Sequence, residues 1–564
     1  MRCNFYTTVS LEHCTAALRL FAVILLLNLF VLPSQFTIHA SEKEDLPLSM
    51  DQVENPRLVV GIVIEKMRYD YLVRMWNRFG KNGFKKIASE GAFCRNATYD
   101  YLHNQSSPGY ATIFTGANPS EHGIISNEWY QRLKRTTLKS DHDETARAVG
   151  GTFNEGGRSP VNLMSETIGD IIKKANDFRS RVFTVSMNSP GAVISGGFSA
   201  DAAWWFDKKT GEWMSSTYYI DSMPQWVYEF NRKRLPESYL ERTWKPLPAF
   251  GEYFSIESEK NISGSQTFEY DLKRESRGDD NYNLLARTPY GNTFTKDFAL
   301  SLILNEELGA GENIDMVVIG FSAAAEIGNT HGVFSPEAQD AYLRLDAEIA
   351  HLLQFLDQNF EKEEILLFIT SDQGASYPRE YFNASRIPTG TFSQGAAMAL
   401  LRSYLNATYG EGDWVLGYHA RQVYLNRLLA EDSNIPLGDI QMKSAAFLDQ
   451  VSGVSRTFTA HMLMSNYYTS GPGAAVQEGF NTKRSGDIII SLRPGWEERS
   501  VTEDPSGMPV TDSHVPLMWY GGGVNKTEVN RPVSITDIAP TISFMLNTPY
   551  GNSFSGQPIM EIIR

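Results

Sequence analysis

The fold is decided by the stretch Leu58-Val59-Val60-Gly61-Ile62-Val63-Ile64, which is apolar throughout and rich in β-branched residues. A run of this kind, without alternating polar residues, is typical of a strand that is covered on both faces in a parallel sheet. Glu65 follows the run directly. The predicted strand therefore delivers a carboxylate to its carboxyl end.

Three further runs have the same character, and helical patterns lie between them. The runs span residues 181–187, 316–321 and 365–370. The clearest helical pattern begins at Ser335, a plausible N-cap that is followed by Pro336 at the first helical position. This alternation predicts an α/β fold with a doubly wound, mostly parallel central sheet flanked by helices. In such sheets ligands bind beyond the carboxyl ends of the strands, so the loops after the four runs should converge on any active site.

Composition and length favour one globular unit with additions. Hydrophobic residues make up 42% and charged residues 21% of the 564 residues, which is ordinary globular usage. No internal repeat or low-complexity linker divides the chain, so we expect a single domain over residues 41–564. Two long stretches without clean periodicity, near 207–292 and 376–494, are predicted to be insertions that cap the sheet edge. The first is rich in Trp and Tyr.

The amino-terminal segment is predicted to be a signal peptide that spans residues 1–40. Residues 20–32 are apolar apart from Asn28 and are shorter than the roughly 20 residues that cross a bilayer. The alternative is a membrane anchor, but small residues near Ala40 offer a cleavage site. We therefore expect an exported protein, periplasmic or extracellular, with no membrane span after leader removal.

The charges and cysteines exclude several classes of partner. The net charge of −15 repels a phosphate backbone, so nucleic acid is excluded as a partner. Cys3 and Cys14 lie in the predicted leader, and only Cys94 remains in the mature chain. The mature chain can therefore form neither an intramolecular disulfide nor a cysteine-based zinc site.

Six spaced motifs follow one another along the chain in a family order. They are LVVGIVIEKMRYDYL from Leu58, SSPGYATIFTGANPSEHGIISNEW from Ser106, SDQGA from Ser371, SGDIIISLRPGW from Ser485, DSHVPLMWYGGG from Asp512 and RPVSITDIAPTI from Arg531. Together they resemble the phosphate-irrepressible alkaline phosphatases of the nucleotide pyrophosphatase/phosphodiesterase branch of the alkaline phosphatase superfamily. The resemblance runs from about Leu58 to the carboxyl terminus.

This resemblance implies a two-zinc phosphoric-ester hydrolase, in which a Thr or Ser attacks phosphorus between two metal ions. Carried over residue by residue, the nucleophile position falls at Ser106, and Asn127 keeps the identity of a phosphate contact. Asp372 keeps the identity of a zinc ligand. Glu65 replaces a family aspartate and is one methylene longer.

The remaining positions of the family pattern have changed. Ala325 and Asn329 stand where the family has Asp and His, while Gln373 and Pro505 stand at two further histidine positions. A Lys-x-Arg pair that contacts substrate phosphate in the family is replaced as well, by Asn188 and Pro190. Every histidine ligand of the pattern is therefore lost, and zinc is expected to be absent or weakly bound.

Two functions of different class remain open. The first is a degenerate family member, a pseudoenzyme that binds an unknown ligand or partner in the old cleft, with a phosphate ester as the candidate ligand. The alternative is an active hydrolase that uses Ser106 with a changed metal site. A hard divalent cation held by oxygen ligands would suit that alternative, with Glu65, Asp372, Glu326 and His331 as candidates.

Overall fold

The structure is a computed structural model that describes residues 56–247, 267–277, 282–499 and 513–564. The predicted signal peptide lies outside the described residues. The strands are β1 Leu58–Ile64, β2 Ala92–Thr98, β3 Glu128–Gln131, β4 Thr136–Lys139, β5 Ala148–Val149, β6 Val182–Ser186, β7 Ala202–Asp207, β8 Glu212–Ser216, β9 Thr243–Trp244, β10 Tyr270–Asp271, β11 Asp315–Phe321, β12 Ile365–Thr370, β13 Gly390–Ser393, β14 Val415–His419, β15 Gln422–Leu425, β16 Val454–Thr459, β17 Ile488–Leu492, β18 Trp496–Arg499, β19 His514–Gly521, β20 Thr527–Val529 and β21 Val533–Ser534.

The central sheet has the strand order β20-β2-β19-β12-β1-β11-β6-β7-β8-β5, with β21 paired to β2. Its middle strands, from β12 through β1, β11 and β6 to β7, are all parallel. Strand β19 is antiparallel to both of its neighbours, and β8 is antiparallel to β7. The predicted doubly wound, mostly parallel sheet is confirmed, and the four predicted strands correspond to β1, β6, β11 and β12.

Strand β1 shows why an unbroken apolar run belongs in this sheet. All seven of its residues are buried. Val60, Ile62 and Ile64 pack into the core on one face, whereas Val59 and Val63 pack into the core on the other. Because both faces of the strand meet helices, neither can carry polar side chains.

Helices cover both faces of the sheet. Four of them carry the site and are labelled: α1 Ser106–Thr115, α2 Ser189–Gly196, α3 Ala323–His331 and α4 Pro336–Asn359. The others are Tyr69–Met75, Phe84–Glu90, Pro119–His122, Ile168–Ala175, Gln225–Arg232, Leu235–Leu240, Leu272–Glu275, Asn283–Ala286, Tyr290–Asn305, Arg379–Ala384, Gln394–Tyr409, Arg427–Asp432, Leu437–Leu448, Ala460–Ser465, Gly471–Glu478 and Ile538–Met545. Helix α4 begins as predicted, because the Ser335 side chain accepts a hydrogen bond from the Ala338 backbone N–H (3.1 Å). No helix among the described residues is long and apolar enough to cross a membrane.

The two stretches expected to be insertions differ in how they are built. In the first, the tryptophans are core residues: Trp213 stacks on Phe298 with ring centroids 4.6 Å apart, and Trp244 donates to Asp340 (2.8 Å). The second contains a separate four-stranded sheet, β14-β15-β17-β16, with its own apolar core. Ala420, between β14 and β15, lines the main cleft. The role of both stretches as caps stays a prediction.

Candidate functional site

The main cleft lies at the carboxyl ends of β1, β11 and β6, which are neighbours in the sheet. Its volume is about 790 Å³, and its lining includes Glu65, Ser106, Asn188 and Ala325. The loop after β12 joins it, because the backbone N–H of Lys66 donates to Asp372 Oδ1 (2.8 Å). The four loops therefore converge on one cleft, as predicted.

Ser106 is the first residue of helix α1, and it lines the cleft. Its neighbour Ser107 donates its backbone N–H to Asn127 Oδ1 (2.9 Å), and the Asn127 backbone N–H donates to Gln105 Oε1 (2.7 Å). The first bond satisfies a donor that a helix start otherwise leaves open, and the second joins the Asn127 backbone to Gln105, the residue before the helix. Gly109 allows the helix to approach the β12 loop, because a Cβ there would lie 1.8 Å from the carbonyl oxygen of Asp372.

The carboxylate of Glu65 is buried and is already hydrogen-bonded on both oxygens. Tyr110 donates to Oε1 (3.3 Å), and the Asn188 side-chain amide donates to Oε2 (3.0 Å). Burial raises the pKa of Glu65, and the negative charges of Asp372 and Glu326 raise it further. The two positions that the resemblance assigns to a metal ligand and to a phosphate-binding lysine thus bind each other.

Asp372 is fully buried at the end of β12. Its Oδ1 accepts from Lys66, while no described residue gives Oδ2 a hydrogen bond of standard geometry. Burial raises the pKa of Asp372, whereas the Ser106 hydroxyl, the Lys66 backbone N–H and the Lys66 charge each lower it. A buried carboxylate of this kind requires a nearby cation or proton.

The next residue, Gln373, lies beside the nucleophile position. With its amide oriented so that both of its polar atoms are satisfied, its oxygen accepts from Ser106 Oγ (3.2 Å) and its nitrogen donates to the Asn104 carbonyl (3.0 Å). The amide that replaces a family histidine therefore contacts the Ser106 hydroxyl directly.

The loop after β11 leads into helix α3, which carries Ala325 and Asn329. Ala325 contributes a methyl group to the cleft wall, and Asn329 is exposed at the cleft edge. Asn329 Oδ1 accepts from the side-chain ammonium of Lys66 (3.1 Å). The ammonium therefore lies beside a position that the resemblance assigns to a histidine ligand.

The candidate hard-cation set is only partly assembled. Glu65 and Asp372 interact electrostatically with each other, and Glu326 lies close enough to Glu65 to raise its pKa. His331 does not join them, because its ring contacts Tyr270 and Trp244 outside the cleft lining. Pro505 lies outside the described residues. Within the described ranges, no group of three or more His, Cys, Asp or Glu side chains is arranged to hold a metal ion.

These donors do not fit a two-zinc site. Catalytic zinc takes three protein ligands drawn from imidazole, thiolate and carboxylate groups. At the described family positions the cleft instead presents a methyl group at Ala325, amides at Asn329 and Gln373, and a Glu65 carboxylate engaged by Asn188.

Sequence reasoning missed three groups that shape the cleft. They are Lys66, Tyr110, and a buried ion pair of Arg158 with Asp141 (3.1 Å). Asp141 also accepts from Ser189 (2.6 Å), which fixes the turn that begins α2. Lys66 could have been found, because it follows Glu65 in the loop at the carboxyl end of β1. The other contacts join distant segments and leave no local signal.

Comparison with known proteins gives the family. Residues 59–509 match the model of the type I phosphodiesterase/nucleotide pyrophosphatase family. The chain belongs to this family. It is 32% identical over 525 residues to the alkaline phosphatase PafA of Elizabethkingia meningoseptica, covering 91% of this chain and 95% of that one.

Other relatives have similar coverage. A protein of Myroides odoratus named "Calcium-transporting ATPase" is 33% identical over 92% of this chain and 96% of its own length. The alkaline phosphatase PhoV of Synechococcus elongatus is 30% identical over 91% and 94%, respectively. The crystal structure of wild-type PafA superposes with a TM-score of 0.83 at 31% identity, covering 90% of this chain and 99% of that one. The resemblance read from the motifs is confirmed, as is the fold.

Proposed function

We propose that this chain is an exported, degenerate member of the family that has lost two-zinc hydrolysis and uses the old cleft to bind a ligand, such as a phosphate ester. The observation that carries the proposal is the hydrogen bond from Asn188 to Glu65 (3.0 Å). In the family pattern these positions serve a substrate phosphate and a metal ion. Here they satisfy each other.

Loss of hydrolysis follows from the chemistry of the nucleophile. A serine hydroxyl is a weak nucleophile at neutral pH, and a phosphate monoester dianion repels an anionic attacking group. Metal ions offset both problems by lowering the pKa of a bound oxygen and by stabilising the developing charge. Beside Ser106 the described cleft presents the Gln373 amide and the buried Asp372 carboxylate. The Gln373 amide cannot act as a general base, and the Asp372 carboxylate cannot by itself stabilise the negative charge that develops on the phosphate.

A binding role is compatible with the shape and lining of the cleft. Its volume of about 790 Å³ lies within the range of about 300–1,000 Å³ typical of small-molecule sites. Lys139, Lys208, Lys209 and Arg287 line it, and they supply cationic groups. An ester with an anionic head group and a polar remainder suits this lining.

The test is a hydrolysis assay on the purified mature chain with Zn²⁺, Mg²⁺, Mn²⁺ or Ca²⁺, using an aryl phosphate monoester and a diester. The rate should equal that of Ser106→Ala with every metal. In parallel, phenyl phosphate binding is followed by ³¹P line broadening, and it should weaken in a Lys208→Met/Lys209→Met variant. Metal-dependent turnover that Ser106→Ala abolishes would establish the alternative, an active hydrolase with a changed site. Turnover or an absence of phenyl phosphate binding would each contradict the proposal.

Export is part of the same proposal and rests on the apolar leader at residues 20–32. The mature protein should be recovered from the periplasmic or extracellular fraction with its amino terminus near Ser41. Recovery of a chain that retains residues 1–40 in the membrane fraction would contradict it.

A further inference from the structure

The turn between β7 and β8 presents two lysines to the main cleft. Lys208 and Lys209 both line the cleft. Asp207, the last residue of β7, fixes the turn, because its Oδ1 accepts the Lys209 N–H (2.9 Å) and its Oδ2 accepts the Thr210 hydroxyl (3.1 Å). The two lysines therefore extend from a backbone of fixed geometry.

Arg287 joins the two lysines at this end of the cleft. It follows the short helix Asn283–Ala286, and it also lines the cleft. Tyr282, which precedes that helix, packs against the turn, because a Cβ added at Gly211 would lie 2.8 Å from its ring. Within the described ranges, neither Arg287 nor either lysine forms an ion pair. We call these three residues the β7 cations.

The acidic side chains on the β7 side of the cleft are engaged by other donors. Asp207 accepts the Thr152 N–H (2.6 Å) in addition to the two bonds of the turn. Asp141 and Glu155 both form ion pairs with Arg158 (3.1 Å each). The β7 cations therefore present positive charge to the cleft that no described carboxylate neutralises by direct contact.

A carboxylate of the opposite kind lies across the cleft from these cations. Helix α3 follows β11 and carries Glu326, which lines the cleft and forms no ion pair with any other described residue. A carboxylate accepts hydrogen bonds from hydroxyl groups, and such charge-assisted bonds are stronger than those between neutral groups. It repels a phosphate, so this position suits the uncharged, hydroxyl-bearing part of a ligand.

Strand pairing sets the separation between Glu326 and the β7 cations. Strand β11 pairs with β6, and β6 pairs with β7, all in parallel, so β11 and β7 end at the same edge of the sheet, two strand spacings apart. That separation is about 10 Å at about 4.8 Å per spacing. It exceeds the size of a phosphate ion and suits a phosphorylated sugar.

We propose that the cleft binds the phosphate monoester of a sugar or similar polyol, with the phosphate on the β7 cations and a hydroxyl group on the Glu326 carboxylate. This assignment rests on the proposed function, because it names the ligand class of the same cleft. A phosphate dianion gains Coulomb attraction and charge-assisted hydrogen bonds from the three cations. Ser106 contacts Gln373 after β12, four strand spacings from β7, so the phosphate lies away from the nucleophile position.

The experiment measures binding of inorganic phosphate and of glucose 6-phosphate to the intact mature chain by isothermal titration calorimetry. The parent should bind the sugar phosphate at least about fivefold more tightly than inorganic phosphate. Lys208→Met/Lys209→Met should weaken both at least about tenfold, because the phosphate loses two charged partners. Lys208→Arg/Lys209→Arg keeps the charge and should bind both like the parent.

A second set of variants tests the hydroxyl contact. Glu326→Ala should remove the preference for glucose 6-phosphate without weakening inorganic phosphate, because only the sugar reaches this carboxylate. The charge-matched controls are Lys81→Met/Lys526→Met and Glu312→Ala, which remove exposed charges outside the cleft lining and should leave both affinities unchanged. Thermal unfolding identifies the variants that are folded.

Folded Lys208→Met/Lys209→Met that binds both ligands like the parent overturns the assignment of the phosphate, while the proposed binding function stands. Equal affinity of the parent for the two ligands, or a sugar preference that survives Glu326→Ala, overturns the assignment of the ligand class. Metal-dependent hydrolysis of glucose 6-phosphate by the parent that Ser106→Ala abolishes would instead overturn the proposed function.

Discussion

The two sides of the cleft, the nucleophile side around Ser106 and the metal side around Glu65, differ in the hydrogen-bond partners of their polar side chains. On the nucleophile side, Asn127 accepts a backbone N–H of helix α1, and Gln105 accepts that of Asn127. On the metal side, the side-chain amide of Asn188 contacts the Glu65 side chain and that of Asn329 contacts the Lys66 side chain. Asn127 completes a helix start and is itself held by Gln105, whereas Asn188 and Asn329 occupy positions that the resemblance assigns to a substrate contact and a metal ligand.

This difference gives a physical reason why Asn127 can keep the identity that the resemblance assigns to it while Asn188 and Asn329 differ from theirs. A backbone N–H at a helix start costs stability if it loses its acceptor, whether or not the protein is an enzyme. A metal ligand contributes to stability through its ion, so its replacement is tolerated once the ion is dispensable. Asn127 is therefore required by the fold, and its presence does not by itself indicate catalysis.

The largest expected effect comes from restoring the metal side. The full set is Glu65→Asp, Ala325→Asp, Asn329→His, Gln373→His and Pro505→His, with Asn188→Lys and Pro190→Arg for substrate. We expect zinc-dependent hydrolysis of an aryl phosphate at least about 10³-fold above the parent, because metal activation is worth several kcal/mol.

Partial sets should fail, because ligands that act as one coordination unit are not additive. Activity of the full set should vanish on Ser106→Ala. A folded variant that binds no zinc would show that the ligand positions have been misassigned.

A smaller effect concerns the packing beneath the nucleophile side. His122 is buried; its Nδ1 accepts the Ile124 N–H (3.1 Å), so Nε2 carries the proton and donates to Thr112 of helix α1 (3.1 Å). Burial, aided by the Arg484 charge, lowers the pKa of His122 to about 3. The unfolded chain takes up this proton first, so the contribution to stability is complete above the unfolded pKa of about 6.5 and is lost as the pH falls toward 3.

His122→Gln therefore changes how stability depends on pH. Between pH 7 and pH 5 the free energy of unfolding should fall by about 2 kcal/mol less in the variant than in the parent. Urea unfolding at the two pH values measures both differences. Equal pH dependence in the two chains would contradict the buried, neutral assignment of His122.

The smallest expected effect compares one asparagine from each side of the cleft, and both asparagines are exposed. Asn127→Ala should lower the free energy of unfolding by about 1 kcal/mol, because the Ser107 N–H loses its acceptor. Asn329→Ala should change it by no more than about 0.5 kcal/mol, because its bond to Lys66 is exposed. Urea unfolding compares them. Equal losses of unfolding free energy in the two variants would contradict the distinction between the asparagine that accepts a backbone N–H and the asparagine at a former metal position.

The sequence predicted most of the fold but only part of the site. The apolar runs fix β1, β6, β11 and β12 because buried parallel strands tolerate no other pattern, and the motifs placed Ser106, Glu65 and Asp372 around one cleft. Tyr110 and the pair of Arg158 with Asp141 could not be predicted, because their contacts depend on packing between distant segments. The sequence indicates only that Asn188 replaces a cationic residue of the family, whereas its hydrogen bond to Glu65 depends on the three-dimensional structure.

The central claim is that the cleft does not hold the family's two zinc ions. The most direct measurement is the zinc content of the mature chain, produced in zinc-supplemented medium and dialysed without chelator, by inductively coupled plasma mass spectrometry. The account predicts less than one zinc ion per chain, because the described cleft offers no histidine ligand and its Glu65 carboxylate is engaged by Asn188. Two zinc ions per chain that survive dialysis would contradict it.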